Sequence, residues 1–129
     1  MSKRINISTG TPWEGIVGYS RAVRIGNVIE VTGTVAVDVD QPVGINDPYT
    51  QTKFIIEKIQ KTLNQLGATL SDVIRTRIFV TDINNWEEVG KAHGEYFGEI
   101  RPCTTLLEVS NLISSEYLVE IEATAILQE

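Results

Sequence analysis

Residues 118–127 read LVEIEATAIL, and this stretch decides the fold. Apolar and polar side chains alternate along it, which is typical of a β-strand with one buried face. The apolar side chains share the face that is predicted to meet helices: Val119, Ile121, Ala123, Ala125 and Leu127. The polar side chains share the other face: Glu120, Glu122 and Thr124. The pattern therefore predicts a strand in a sheet that helices cover on one side.

Further strands are predicted at residues 21–25, 28–35, 73–80 and 104–109, with a short one at 4–7, because these segments are rich in β-branched residues. Gly26-Asn27 predicts a tight hairpin between 21–25 and 28–35. In 73–80, alternation assigns one set of side chains to the helix-covered face: Ile74, Thr76, Ile78 and Val80. It assigns the other set to the opposite face: Arg75, Arg77 and Phe79.

The first of two predicted helices spans about residues 48–66. Asp47 is a good N-cap, Pro48 is tolerated at the first helical position, and Gly67 is a natural stop. An apolar stripe runs along this helix: Ile55, Ile59, Leu63 and Leu66. Its spacing predicts that one side of the helix packs on the sheet.

The second predicted helix spans about residues 86–97, with Asn85 as its N-cap and Glu88 at the spacing of a capping box. One side carries its large side chains: Trp86, Val89, His93, Tyr96 and Phe97. The order of strands, helix, strand, helix and strands predicts an α+β fold in which both helices pack on one face of a mixed sheet.

The sheet face turned away from the helices carries charges on two strands. We consider two interpretations of these charged residues, which are Arg75, Arg77, Glu120 and Glu122. They form a solvated face, which is common in antiparallel sheets, or an interface in which subunits pair these arginines and glutamates.

Length and composition limit the possible functions. The chain has 129 residues, which suits one domain over 1–129, and a net charge of −6, which opposes nucleic-acid binding. Its first ten residues, MSKRINISTG, contain no apolar stretch of signal-peptide length, and no segment is apolar enough to span a membrane. The single cysteine, Cys103, is expected to be a quiet buried thiol in a reducing, cytoplasmic environment. One histidine and one cysteine cannot supply a typical zinc site.

Three segments resemble the Rid (reactive intermediate deaminase, RidA/YjgF) superfamily. Residues 18–23 read GYSRAV and are followed by Gly26-Asn27 and by VTG at 31–33. Residues 101–109 begin with Arg-Pro and end with Glu-Val, and residues 119–123 read VEIEA. The resemblance covers nearly the whole chain.

The resemblance implies a chorismate-mutase-like α+β fold and a homotrimer with a central barrel-like core and outer helices. It also implies clefts between subunits that bind a small molecule and hydrolyse imines or enamines to carbonyl compounds and ammonia, without a metal or an organic cofactor. It favours the interface interpretation of the charged sheet face.

The family pattern assigns chemical roles to four positions. Tyr19 and Gly33 match pocket residues, although a half-buried core tyrosine and a strand bulge are the alternatives. Glu120 matches the catalytic glutamate near the attacking water, whereas Glu122 is better explained as a partner for a strand arginine. Thr104 falls where active deaminases have the arginine that binds the substrate carboxylate. This departure puts turnover of short 2-imino acids in doubt, because a hydroxyl carries no charge.

Other residues could rebuild this part of the cleft. Arg101 lies three positions upstream of Thr104 with the wrong strand parity, so it reaches the cleft only if the chain turns at Pro102. Arg21 and Arg77 are further candidates for the missing charge. Gly90 stands where the family often has a polar cleft residue. Its helical neighbours Trp86 and His93 share that face, so His93 is either a catalytic acid–base group or a core histidine.

Three functions follow as hypotheses. The first is a Rid-type hydrolase acting on C–N bonds, with a substrate other than the short 2-imino acids. The second is a non-catalytic trimer that binds a ligand or another protein. The third, chorismate-mutase-like catalysis, would need two converging arginines for a dianionic substrate. The older family labels of ribonuclease and translation inhibitor conflict with the acidic charge.

Overall fold

A six-stranded mixed sheet forms the centre of the computed structural model, which describes residues 3–128. Its strands, in sheet order, are β1 (Arg4–Ile7), β2 (Ala22–Ile25), β3 (Val28–Thr34), β8 (Val119–Ile126), β6 (Val73–Val80) and β7 (Cys103–Glu108). β7 runs parallel to β6, and the other neighbours are antiparallel. A separate small hairpin joins β4 (Val37–Asp38) to β5 (Gln41–Pro42). Residues 1, 2 and 129 of the predicted domain lie outside the described residues.

Both predicted helices are present as α1 (Pro48–Gln65) and α2 (Trp86–Phe97). The carboxylate of Asp47 accepts a hydrogen bond from the Thr50 N–H at 3.0 Å, which confirms the first N-cap. Asn85 stands at the N-cap position of α2, as predicted, but its side chain makes no capping hydrogen bond. A 3₁₀ turn (Ile83–Asn85) precedes α2, and the side chain of Asp82 caps that turn by accepting from the Asn84 N–H at 2.9 Å. Within residues 3–128, no helix is long and apolar enough to cross a membrane.

The alternation of β8 builds the core as predicted. Its helix-facing side chains are almost completely buried: Val119, Ile121, Ala123 and Ala125. The stripe on α1 packs into the same cluster: Ile55, Ile59, Leu63 and Leu66. Each fully buried Ile, Val or Leu stabilises the fold by about 1.5–3 kcal/mol. The predicted α+β class, with helices on one face of the sheet, is confirmed.

One side chain in β6 faces the opposite way from the prediction. Ile74 is 47% exposed, whereas Val73 and Thr76 are buried. The pairing of β6 with β8 shifts between Val73 and Arg75, so a bulge inserts one extra residue and reverses the alternation at this end of the strand. From Arg75 onward the predicted faces are confirmed.

The sheet face opposite α1 and α2 mixes charged and apolar side chains. Arg77 and Glu122 pair across β6 and β8, with 3.3 Å between Nη1 and Oε1, as predicted for Glu122. Val28 and Leu107 on this face are 44% and 40% exposed. Cys103 lies on the same face of the edge strand β7 and is exposed, so the prediction of a buried thiol was wrong. We call this surface the open face.

Gly67 ends α1 with a φ of +83°, a backbone conformation that side chains disfavour. We expect Gly67→Ala to lower the free energy of unfolding by about 1–2 kcal/mol. Gly94→Ala is the matched control, because Gly94 lies inside α2 and a Cβ there would have open space around it. That variant should raise stability by about 0.5–1 kcal/mol. Urea denaturation checks both signs, and equal effects would contradict the argument.

Candidate functional site

Three residues singled out in the sequence line one cleft of about 480 Å³: Tyr19, Gly33 and Glu120. Tyr19 follows a single π-helical turn, Gly33 lies in β3, and Glu120 lies near the start of β8. Arg21 contributes to the same wall, and the indole of Trp13 belongs to the mainly apolar remainder. A mostly apolar cleft with a few polar groups is typical of sites for small molecules.

Gly33 leaves the space that Glu120 occupies. A Cβ built on Gly33 would overlap the carboxylate oxygen Oε2 of Glu120. The pairing of β3 with β8 also shifts between Val31 and Thr34, so Gly33 lies at a bulge. Both interpretations of Gly33 therefore apply, since it is a bulge residue and it also lines the cleft.

Glu120 is half-buried, and it lines this cleft. Burial raises its pKa because desolvation disfavours the charged form, and the negative charge of Glu122 raises it further. The positive charge of Arg21 acts in the opposite direction. A carboxylate whose pKa is shifted toward neutrality is suited to accepting a proton from water.

Arg21 lines the cleft and is bound by protein groups on two sides. It is 3% exposed, and its Nη1 donates to the carbonyl of Gly33 at 2.9 Å and to the hydroxyl of Thr34 at 3.1 Å. Its Nη2 lies 3.6 Å from Oε2 of Glu14, which is 6% exposed. Because its charge is already balanced by Glu14, Arg21 is a poor replacement for a substrate-binding arginine.

Sequence reasoning missed Glu14. Its carboxylate accepts hydrogen bonds from the hydroxyls of Ser8, Thr9 and Thr11 at 2.7–2.9 Å. The run of hydroxyl residues just before a glutamate was the available signal. This network fixes the segment that leads into Tyr19, and through Arg21 it also fixes the backbone of Gly33.

A second cluster joins Thr104 of β7, Thr76 of β6 and His93 of α2. The hydroxyl oxygens of Thr104 and Thr76 are 2.8 Å apart, and the Thr76 oxygen is 2.9 Å from Nε2 of His93. The imidazole is half-buried and lies against the ring of Phe97, with 4.6 Å between centroids. Burial lowers the pKa of His93, which favours its neutral form. His93 is thus a half-buried group with a polar partner.

The other predicted site residues lie on α2 and in the segment between α2 and β7. Gly90 is exposed on α2 with open space around it, and Trp86 is 55% exposed, so Trp86 does not pack with the buried side of that helix. Arg101 adopts a φ of +55°, and its Nε donates to the carbonyl of Gly98 at 3.2 Å. The chain does turn before Pro102, but the guanidinium is directed to the end of α2.

The two clusters face opposite sides of one sheet. Glu120 pairs with Phe79 across the strands and projects from the open face. Thr104 pairs with Thr76, whose buried side chain is turned toward α2. Within residues 3–128 of one chain, the predicted site is therefore divided into two halves that cannot contact one small ligand.

A family model, a solved structure and two relatives each match this protein over nearly its whole length. The model of the family described as endoribonuclease L-PSP matches residues 11–127. The crystal structure of Rv2704 from Mycobacterium tuberculosis, described as a member of the YjgF/YER057c/UK114 family, has a TM-score of 0.89 and 47% identity, covering 97% of this chain and 100% of that one. An uncharacterised protein of Streptomyces coelicolor is 39% identical over 92% of this chain and 89% of its own length. The 3-aminoacrylate deaminase RutC of Acinetobacter baylyi is 30% identical over 97% and 98%.

Proposed function

This chain belongs to the endoribonuclease L-PSP family, which includes YjgF and Rid proteins, and from that membership we propose that it hydrolyses a small imine or enamine to a carbonyl compound and ammonia. One relative carries the name of a deaminase that acts on 3-aminoacrylate. The observation that carries the proposal is the half-buried carboxyl group of Glu120, held against Gly33 in a cleft that Tyr19 also lines.

The chemistry requires a base and a nucleophilic water. As the water oxygen bonds to the imine carbon, the π pair of the C=N bond moves to nitrogen, and Glu120 takes a proton from the water and passes it to that nitrogen, which gives a carbinolamine. Glu120 then takes the hydroxyl proton of the carbinolamine and delivers it to nitrogen as the C=O bond forms and the C–N bond breaks, so that the nitrogen leaves as ammonia. Glu120 carries the proton in both steps and returns to its starting state. No electron is gained or lost.

We propose further that three copies assemble through the open face, so that the two halves of the site meet at subunit boundaries. Two observations support this. Glu120 and Thr104 lie on opposite faces of the sheet, so only a second copy can bring such groups to one ligand. The open face also presents exposed Val28 and Leu107 as well as the Arg77–Glu122 pair, a mixture that suits an interface.

Sedimentation equilibrium tests the assembly. We expect a species with about three times the 14.3 kDa mass of one chain at micromolar concentration. Leu107→Glu, on the open face of β7, should shift the protein toward smaller species, because a carboxylate would be desolvated in the interface. A well-folded wild-type monomer under the same conditions would contradict the shared cleft.

A small molecule suits this cleft better than RNA does. The net charge of −6 opposes binding of a phosphate backbone, and the cationic Arg21 is balanced by Glu14. Thr104 offers no positive charge for a carboxylate. We therefore propose a substrate other than the short 2-imino acids.

Imine hydrolysis in vitro tests the activity. Two substrates can be generated in situ by amine-oxidising enzymes: 2-iminobutanoate, which carries a carboxylate, and phenylmethanimine, which does not. Trapping the remaining imine with semicarbazide measures how much the protein has removed. We expect faster hydrolysis of the uncharged imine, with little effect on 2-iminobutanoate. Failure to accelerate either reaction would contradict the deaminase proposal.

A non-catalytic trimer that binds a ligand is the second candidate. It is favoured by two departures from the family pattern, Thr104 and Gly90, which both concern the half of the site without Glu120. Thr104→Arg discriminates between the candidates. If the wild type is inert and this variant hydrolyses 2-iminobutanoate, the scaffold is competent and the native role is binding.

A further inference from the structure

The hydroxyl group of Thr104 is oriented by a chain of hydrogen bonds that ends on His93. Thr104 is exposed on the edge strand β7, and its oxygen lies 2.8 Å from that of Thr76. Thr76 is 1% exposed, and the parallel register of β6 and β7 puts it directly beside Thr104. The Thr76 oxygen is in turn 2.9 Å from Nε2 of His93. Thr104 is thus the outer end of a polar chain that reaches into the protein.

The hydrogen bonds that join Thr104, Thr76 and His93 can be donated in either direction along the series. A hydroxyl group donates one hydrogen bond and accepts up to two. If Nε2 of His93 accepts, Thr76 donates to His93 and Thr104 donates to Thr76, which leaves the Thr104 oxygen as an outward acceptor. If Nε2 carries the proton, His93 donates to Thr76, Thr76 donates to Thr104, and the Thr104 hydroxyl can donate to an outward ligand in place of its long 3.5 Å contact with the Pro102 carbonyl. The tautomer of His93 therefore decides whether Thr104 donates to a ligand or accepts from it.

The hydrogen-bonded series Thr104–Thr76–His93 carries no permanent charge that could bind an anion. Its two hydroxyls are neutral, and burial lowers the pKa of His93, so the imidazole is neutral near pH 7. Two arginines close by in the fold are directed elsewhere. Arg101 donates its Nε to the carbonyl of Gly98, and Arg75 donates its Nη2 to Thr105, which lies on the other face of β7.

Charge balance then decides which ligand head group fits. A carboxylate brought against one neutral hydroxyl would lose hydration without gaining a counter-charge, which is strongly unfavourable. A carboxamide or similar group supplies both an N–H donor and a C=O acceptor, so it matches Thr104 in either direction of the chain. We propose that Thr104, held by Thr76 and His93, binds an uncharged amide-like head group of the ligand. The inference rests on the proposed function, since it names the substrate class of that same cleft.

Binding of two small probes to the full-length protein tests this inference. 2-Oxobutanamide and 2-oxobutanoate differ only in the head group, and ligand-observed NMR measures the Kd of each. We expect the amide to bind about tenfold more tightly, which corresponds to about 1.4 kcal/mol, the contribution of one or two hydrogen bonds.

Variants of the hydroxyl chain assign the effect to it. Thr104→Val, which keeps the shape but removes the hydroxyl, should weaken binding of the amide about tenfold, and Thr104→Ser should restore it. Thr76→Val should weaken it less, because Thr76 is a positioning residue. The matched control is Thr105→Val, which removes the neighbouring hydroxyl on the open face of the same strand; with sedimentation showing that its assembly is the same as that of the wild type, it should leave binding unchanged.

Three results would overturn the inference: tighter binding of 2-oxobutanoate, unchanged binding of the amide to Thr104→Val, or no binding of either probe at about 10 mM. Turnover separates these failures from failure of the proposed function. If imines are hydrolysed while amide binding ignores Thr104, the inference is wrong and the deaminase stands. If the amide binds through Thr104 but no imine is hydrolysed, the inference stands and the deaminase is wrong.

Discussion

Glu120→Gln is expected to lower kcat for imine hydrolysis by about 10²–10⁴-fold, the usual contribution of a positioned general base. The amide has the shape of the carboxyl group, so the space left by Gly33 remains filled and the fold is kept. It cannot accept a proton from the attacking water, however. The loss should therefore appear in kcat, with the KM for the substrate changed much less.

Glu122→Gln is the matched control for this variant. Glu122 lies two positions further along β8 on the same open face, but it pairs with Arg77 near solvent instead of lining the cleft. Its removal should preserve kcat at neutral pH. If Glu120→Gln and Glu122→Gln reduce kcat equally, Glu120 is not the base.

The pH dependence of kcat/KM in Glu122→Gln gives a further test, because the electrostatic argument predicts the direction in which it shifts. Burial and then the charge of Glu122 raise the pKa of Glu120, so removing that charge should lower it. A base is active when ionised, and activity rises with pH through its pKa. The acidic limb of kcat/KM should therefore move to lower pH in Glu122→Gln. A shift to higher pH would contradict the electrostatic argument.

Local patterns in the sequence were sufficient to predict most of the fold. Alternation in residues 118–127 identified the buried face of β8, and Asp47 identified the start of α1. The error at Ile74 has a physical cause, since a bulge arises from how two strands pair and leaves no local signature in either one. The absence of a side-chain capping hydrogen bond at Asn85 has a similar cause, because the last residue of the 3₁₀ turn that Asp82 caps is Asn85 itself.

The candidate site was predicted only in part, for a different reason. Tyr19, Gly33 and Glu120 were found through motif resemblance, and they share a cleft. The chain from Thr104 through Thr76 to His93 was missed because it joins three elements that are distant in sequence. Thr76 looked like an ordinary core position, since alternation predicts which face a side chain joins and says nothing about its polar partners.

Glu14→Gln is expected to lower the free energy of unfolding at pH 7 by about 3–5 kcal/mol, the effect of removing one member of a buried ion pair. The guanidinium of Arg21, which is 3% exposed, would remain buried without its carboxylate. Because Arg21 also holds the carbonyl of Gly33 at 2.9 Å, binding in the cleft should weaken as well. Urea denaturation followed by circular dichroism measures the change in stability.

Glu116→Gln is the control that separates burial from hydrogen bonding. Glu116 also accepts hydrogen bonds from two hydroxyls, those of Ser114 and Ser115, but it is exposed and has no buried arginine to balance. Its replacement should change stability only slightly. If the two variants lose similar amounts of stability, the hydroxyl contacts matter and the Arg21–Glu14 pair does not.

The Arg21–Glu14 pair also determines how the stability of the fold changes as pH falls. Burial alone would raise the pKa of Glu14, but hydrogen bonds from Ser8, Thr11 and Thr9 and the charge of Arg21 lower it from 4.5 to about 2. A carboxyl group with a lowered pKa stabilises the fold above its unfolded value, and that contribution is lost as pH falls toward the folded value. Between about pH 5 and pH 2 the wild type should therefore lose more stability than Glu14→Gln, so the gap between them should shrink. A constant gap across that range would mean that ionised Glu14 is not what stabilises buried Arg21.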